Sequence, residues 1–296
     1  MASWMVAPGP ASKELGEQLA KRLSLPMVEV HSTVFPDGEC KIRITGDVRG
    51  KRVIVVQSTY PPTDTHLLQA LMLSHRVSQD GGEVYALIPY LAYARQDKEF
   101  LQGEIVSLAV VSRLLRAVGV KRLVTVDIHS VEGLGHFSFP AYSVSAIPAL
   151  AEYVKQHYSL HQPIVVSPDF GASARAEGFA KLLSSEHIVL RKTRDRVTGE
   201  VRVEEERLEV EDRDVVMVDD IISTGGSVEK AAKLLKKHGA GRIIVACTHL
   251  VMVRGAMERI SKAGVEEVIG TNTIPHPSAK VDITPLIAEH FTSIMD

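Results

Sequence analysis

The sequence predicts an α/β fold built as two successive halves, and three observations carry that expectation. Short β-branched apolar runs alternate along the chain with stretches of helical period. The runs are continuously apolar, which marks strands buried on both faces of a parallel sheet. The chain has 296 residues, enough for two domains at roughly 150 residues each. Finally, one local layout occurs twice: strand, polar turn, helix, glycine-containing turn, strand. It runs from Val53 through Gly81-Gly82 and again from Val215 through Gly239-Ala240-Gly241.

Taken in order, the apolar start at residues 1–7 has no basic leader and runs into a helix signal. It reads as a first strand, not a signal peptide. Phe35-Pro36-Asp37-Gly38-Glu39 is a turn between strands. Val53-Ile54-Val55-Val56 is a strand, followed by a helix over about 64–77 and a strand at 84–88. A polar loop and a helix over about 104–118 come next, then the strand Leu123-Val124-Thr125-Val126, ending at Asp127. The boundary is expected near 143–148, giving domains 1–145 and 146–296. Beyond it lie strand 164–166, a helix near 172–183, strand 188–190 and a hairpin turning at Thr198-Gly199. Strand 215–218, a helix near 227–238 and strand 243–246 follow. The last amphipathic stretch, near 283–291, is expected to pack back on the first half.

Composition narrows the function classes. With 45% hydrophobic and 24% charged residues the chain is an ordinary globular protein. A net charge of −2 with no long basic run gives no footprint for nucleic acid. No apolar run approaches the roughly 18 residues of a membrane span. Cys40 and Cys247 are isolated, which matches neither a disulfide framework nor a metal motif and fits the cytoplasm.

The strongest chemical signal is Val215-Val216-Met217-Val218-Asp219-Asp220-Ile221-Ile222-Ser223-Thr224-Gly225-Gly226-Ser227. A buried strand brings two carboxylates to its carboxyl end, where open α/β sheets bind ligands. The small loop then lets backbone amides approach a phosphate, at the positive end of the following helix. The hydroxyls of Ser223, Thr224 and Ser227 add donors. The carboxylates oppose a phosphate but suit a pair of sugar hydroxyls, or a metal ion, nearby. Together these features describe a binder of a phosphorylated sugar.

The motif resembles the phosphoribosyl-diphosphate signature shared by phosphoribosyltransferases and ribose-phosphate pyrophosphokinases, and alone it does not choose between them. Other segments favour the second. Phe35-Pro36-Asp37-Gly38-Glu39 resembles the pyrophosphokinase loop that reaches the adenine of ATP. Pro89-Tyr90-Leu91-Ala92-Tyr93-Ala94-Arg95-Gln96-Asp97-Lys98 is similar to the family's nucleotide loop in its archaeal form. Asp127-Ile128-His129-Ser130 and Ser167-Pro168-Asp169-Phe170-Gly171 resemble segments that hold the ATP-bound magnesium. Arg191-Lys192-Thr193-Arg194 resembles the mobile catalytic segment.

The resemblance covers nearly the whole chain, in family order. It implies two tandem phosphoribosyltransferase-like domains, each a mainly parallel sheet flanked by helices. It further implies ATP binding by Phe35, Asp37, Gly38, Glu39, Arg95, Gln96 and Asp97, and Mg²⁺ held through His129 and Asp169. A His ligand is unusual for Mg²⁺, so His129 also fits pairing with phosphate or action through water. Ribose 5-phosphate falls to Arg194, Asp219, Asp220 and Ser223, Thr224, Gly225, Gly226 and Ser227. Lys192 and Arg194 are the implied catalytic pair. The 35–39 loop serves a neighbouring subunit in the family, which implies a homodimer or higher homo-oligomer. Ser223 and Ser227 stand where an acid and a threonine are common, and Ser130 where alanine is usual; the first two keep donors for phosphate. The chain is also shorter than many bacterial and animal relatives, so their phosphate-activated, nucleotide-inhibited regulation does not carry over by resemblance. A phosphoribosyltransferase and a non-catalytic regulatory relative are the rival readings.

Overall fold

The computed structural model describes residues 3–168, 171, 173–190, 192–194, 201–203 and 208–295, with 192–194 and 201–203 described as backbone only. The chain divides into two compact units, Met1–Ser145 with Ile283–Asp296, and Ala146–Asp282.

The first unit is a five-stranded parallel sheet in the order β1-β4-β5-β6-β7. Its strands are β1 (Trp4–Pro8), β4 (Arg52–Val56), β5 (Glu83–Leu87), β6 (Val120–Val126) and β7 (Ala141–Val144). Val53 to Val56 are all buried, as expected for a central parallel strand. Helix α1 (Lys13–Leu23) buries Leu15, Leu19 and Ala20, positions four apart or adjacent to them, against the sheet. It ends at Ser24, whose left-handed backbone (φ 53°) returns its N–H to the carbonyls of Ala20 and Lys21. Strands β2 (Glu29–Val34) and β3 (Cys40–Thr45) form a separate antiparallel ribbon. Helices α2 (Thr63–Gln79) and α3 (Ser107–Ala117) complete the crossovers, and the C-terminal α8 (Thr284–Met295) packs on α1 and β7.

The second unit has the six-stranded order β15-β14-β13-β12-β8-β9, again parallel throughout. The strands are β8 (Ile164–Ser167), β9 (Glu186–Val189), β12 (Val215–Ile222), β13 (Ile243–Leu250), β14 (Glu267–Thr271) and β15 (Ala279–Val281). Helices α4 (Ile147–His157), α5 (Ser173–Leu183), α6 (Gly226–Lys237) and α7 (Ala256–Lys262) flank it. Strands β10 (Lys192–Arg194) and β11 (Val201–Val203) form a second antiparallel ribbon.

The two units share one plan. Met27 bridges Val6 in parallel, so segment 26–28 flanks β1 as β9 flanks β8. Each unit then carries an antiparallel ribbon before its third sheet position, β4 or β12. Helix α4 packs on α5 as α8 packs on α1, although α4 opens its unit and α8 closes the chain.

Two elements depart from expectation. Helix α3 starts at Ser107, not near 104, because the Glu104 carboxylate accepts the amides of Phe100 and Leu101 and so folds back on the loop before it. Strand β12 continues four residues past Val218, held by the pairings Ile221↔His249 and Ile222↔Leu250. Asp219 and Asp220 therefore lie inside the ladder, not beyond it.

Candidate active site

In the second unit, strand alternation separates the adjacent carboxylates. Val215 and Met217 belong to the core that includes Val228, Ala231 and Ile260 of α6 and α7, so Asp219 shares that face. Asp220 takes the opposite one, where Arg175 of α5 meets it: Nη2 to Oδ2 is 3.6 Å, with the side chains 16% and 6% exposed. Asp219 accepts the N–H of Asp220 at 2.9 Å. Cys247, the register partner of Asp219, is fully buried. Burial, reinforced by the charges of Asp219 and Asp220, pushes its thiol well above the usual range, so it is packing and not a nucleophile.

After β12 the chain turns through Ser223-Thr224-Gly225 into α6. Gly225 is the N-cap, with φ 75°, and a Cβ there would meet Ile260 Cγ1 at 2.9 Å and the Ala256 carbonyl at 3.2 Å. Both the left-handed backbone and the close approach of α7 require glycine. The loop is braced from outside: Met252 N–H donates to Ile222 O (2.9 Å) and Val253 N–H to Ser223 O (3.1 Å). Arg259 Nη1 donates to Thr224 O at 3.0 Å, and the Thr224 hydroxyl accepts Gly226 N–H at 3.4 Å. Thr224 and Ser227 are exposed, Ser223 and Gly226 half-buried. The loop thus places three hydroxyl-bearing residues at the N-terminus of α6, a position that suits a phosphate.

In the first unit, β4 ends in the fully buried Gln57-Ser58-Thr59. The Ser58 hydroxyl accepts Tyr90 N–H (2.9 Å), and the Thr59 hydroxyl accepts Ala92 N–H (2.8 Å) while donating to Tyr90 O (2.8 Å). These bonds fix the start of the 90–97 loop. Tyr93 holds a left-handed backbone (φ 66°) and bonds through its hydroxyl to Asp64 of α2. That bond, with burial and the carboxylate's charge, raises the phenol above its ordinary value. Glu104 also accepts Gln96 Nε2 at 3.2 Å. The amide of Leu101, then those of Phe100 and Gln96, hold its carboxyl below the usual range despite an opposing desolvation effect. Arg95 is exposed, and Gln96 and Asp97 are half-buried.

The 90–97 loop is joined to the neighbouring strand end, since the carbonyl of Asp97 sits 2.6 Å from His136 Nε2, in the 3-10 turn Val131–His136. That turn follows His129, which is exposed, and Asp127, buried with φ 35°. The structure thus brings Arg95, Gln96, Asp97 and His129 to the carboxyl ends of β5 and β6.

Phe35, Asp37, Gly38 and Glu39 are not part of that group. They form the tip of the β2–β3 ribbon, where Phe35 N–H donates to Glu39 O (2.8 Å) and Gly38 N–H to Phe35 O (2.9 Å). Gly38 has φ 93°, and Phe35 is 43% exposed. Lys192 and Arg194 lie on β10, with their side chains outside the described residues, as is Asp169 altogether. Among the described residues no group of three or more His, Cys, Asp or Glu side chains is placed to hold a metal, and no helix is long and apolar enough to cross a membrane.

Residues 4–119 match the model of the N-terminal domain of ribose phosphate pyrophosphokinase, and residues 142–281 that of the phosphoribosyl transferase domain. A ribose-phosphate pyrophosphokinase of Sulfurisphaera tokodaii is 36% identical, covering 95% of this chain and 97% of its own. One from Methanothermobacter thermautotrophicus is 39% identical (94% and 96%), and one from Campylobacter jejuni 35% (98% and 95%). The crystal structure of phosphoribosylpyrophosphate synthetase from Mycobacterium smegmatis superposes with a TM-score of 0.89 at 32% identity, over 99% of both chains. With both halves and the full length matched, the chain belongs to the ribose-phosphate pyrophosphokinase family.

Proposed function

We propose that this chain transfers the β,γ-diphosphate of ATP to the C1 hydroxyl of ribose 5-phosphate, giving 5-phosphoribosyl 1-diphosphate and AMP. The observation that carries this is the whole-length identity of 36% to a pyrophosphokinase. A phosphoribosyltransferase needs only one such unit and leaves the 35–39 and 95–97 segments without a task.

Ser223, Thr224, Gly225, Gly226 and Ser227 grip the 5-phosphate, while Asp219 and Asp220 accept from the ribose 2- and 3-hydroxyls. Arg95, Gln96 and Asp97 hold ATP, together with Phe35, Asp37, Gly38 and Glu39 of a neighbouring subunit in a homodimer or larger homo-oligomer. The exposure of Phe35 at the ribbon tip supports that role. His129 and Asp169 suit a nucleotide-borne Mg²⁺, which binds few protein ligands, keeps water, and would neutralise charge on the β- and γ-phosphates. The anomeric oxygen attacks the β-phosphorus and AMP leaves. Lys192 and Arg194 stabilise the charge that spreads over the transferred group. Both cysteines are free thiols, in keeping with the cytoplasm. The test is AMP release from ATP with Mg²⁺: it should require ribose 5-phosphate, and release independent of the sugar, or none, contradicts the proposal.

A further inference from the structure

We propose that Arg175 is a positioning residue for ribose 5-phosphate, acting by fixing the carboxylate of Asp220; this rests on reading 219–227 as the ribose 5-phosphate segment. No sequence motif singles Arg175 out. It lies on the first turn of α5, which packs on β8 and β12 and begins just after the segment that carries Asp169.

The two carboxylates are constrained differently. Asp219 has a backbone amide, that of Asp220, on Oδ1 at 2.9 Å. Asp220 faces α5 and meets Arg175 at 3.6 Å, and both side chains are largely buried. A carboxylate largely out of water needs a cation beside it to offset the cost of burying its charge. Arg175 supplies that cation and holds the Asp220 carboxylate on the α5 face of the strand. Lysine at this position keeps the charge and loses the fork.

The experiment compares the wild type with Arg175→Met and Arg175→Lys. It measures KM for each substrate, ribose 5-phosphate binding by titration calorimetry, and thermal melting. Arg175→Met should raise both KM and Kd for ribose 5-phosphate about tenfold, a loss of about 1.4 kcal/mol. The KM for ATP should change less than about twofold, and Arg175→Lys should recover part of the loss. Combining Arg175→Met with Asp220→Asn should cost little more than Asp220→Asn alone. If Arg175→Met does not fold, Arg175→Lys decides alone, with a rise confined to ribose 5-phosphate expected. The inference is overturned if ribose 5-phosphate binding is unchanged. It is equally overturned if both KM values rise together with a lower melting temperature and no rescue by lysine. A wild type that binds no ribose 5-phosphate removes the underlying reading, and the inference with it, an outcome distinct from a binding wild type with an indifferent variant.

Discussion

Arg259 Nη1 donates to the carbonyl oxygen of Thr224 at 3.0 Å, tying α7 to the middle of the 223–227 loop, and its Nε lies 3.6 Å from Glu229 on the first turn of α6. One guanidinium therefore spans the loop and the helix that follows. Arg259→Ala should raise the KM for ribose 5-phosphate about fivefold, modest because the side chain is 45% exposed. Titration of initial rates against ribose 5-phosphate checks this, with the ATP KM as the internal control.

Glu104 fastens the loop proposed to hold ATP. Its carboxylate holds the amides of Phe100 and Leu101 at 3.0 Å each and the side chain of Gln96. Glu104→Ala frees all three, so the KM for ATP should rise about fivefold with the ribose 5-phosphate KM nearly unchanged. An equal rise in both would show that the loop does not act on ATP alone.

How legible these features were in the sequence depends on their physics. Continuous apolar runs announced the central strands, and their order along the chain gave the architecture. The sequence ends β12 at Val218, because two adjacent aspartates look like the exit from a strand. The ladder to His249 and Leu250, a long-range pairing, carries the strand past them. Arg175, Arg259 and Glu104 were not legible as site residues, since a single charge on a helix or loop reads as solvated surface until its partner in space is known. Ser58 and Thr59 read as a polar turn, yet they are fully buried anchors of the 90–97 loop. Glycine at 225 could be read directly, because a small loop entering a helix needs it.

Helix α8 gives the first unit a pH dependence. His290 meets Tyr142 at a tilt and Phe291 edge to face, at centroid distances of 5.3 and 6.0 Å. Burial, with the nearby charge of Arg122, lowers its imidazole below the ordinary value. A group lowered in the folded state leaves stability intact above its unfolded value, about 6.5. That stability is lost as pH falls through both values. Melting temperature should therefore drop between about pH 7 and pH 5, and His290→Gln should make the drop smaller. Parallel curves for the two proteins would remove His290 from the account.

Lys192→Ala should reduce turnover by about a hundred- to a thousandfold, the scale of losing one charge-stabilising donor at a transition state. Calorimetric binding of ribose 5-phosphate should survive, since the loop proposed to grip its phosphate, 223–227, is built from other residues. Undiminished turnover would sink the assignment of Lys192 to catalysis.

The central claim is that a diphosphate moves intact to the anomeric oxygen, and phosphorus NMR of the reaction mixture tests it most directly. With ATP, Mg²⁺ and ribose 5-phosphate, the account predicts AMP and a new sugar-linked diphosphate as a pair of coupled doublets, formed in equal amounts. ADP with a sugar monophosphate ester would instead place the attack at the γ-phosphorus, and an unchanged spectrum from folded, sugar-binding protein would contradict the assigned activity altogether.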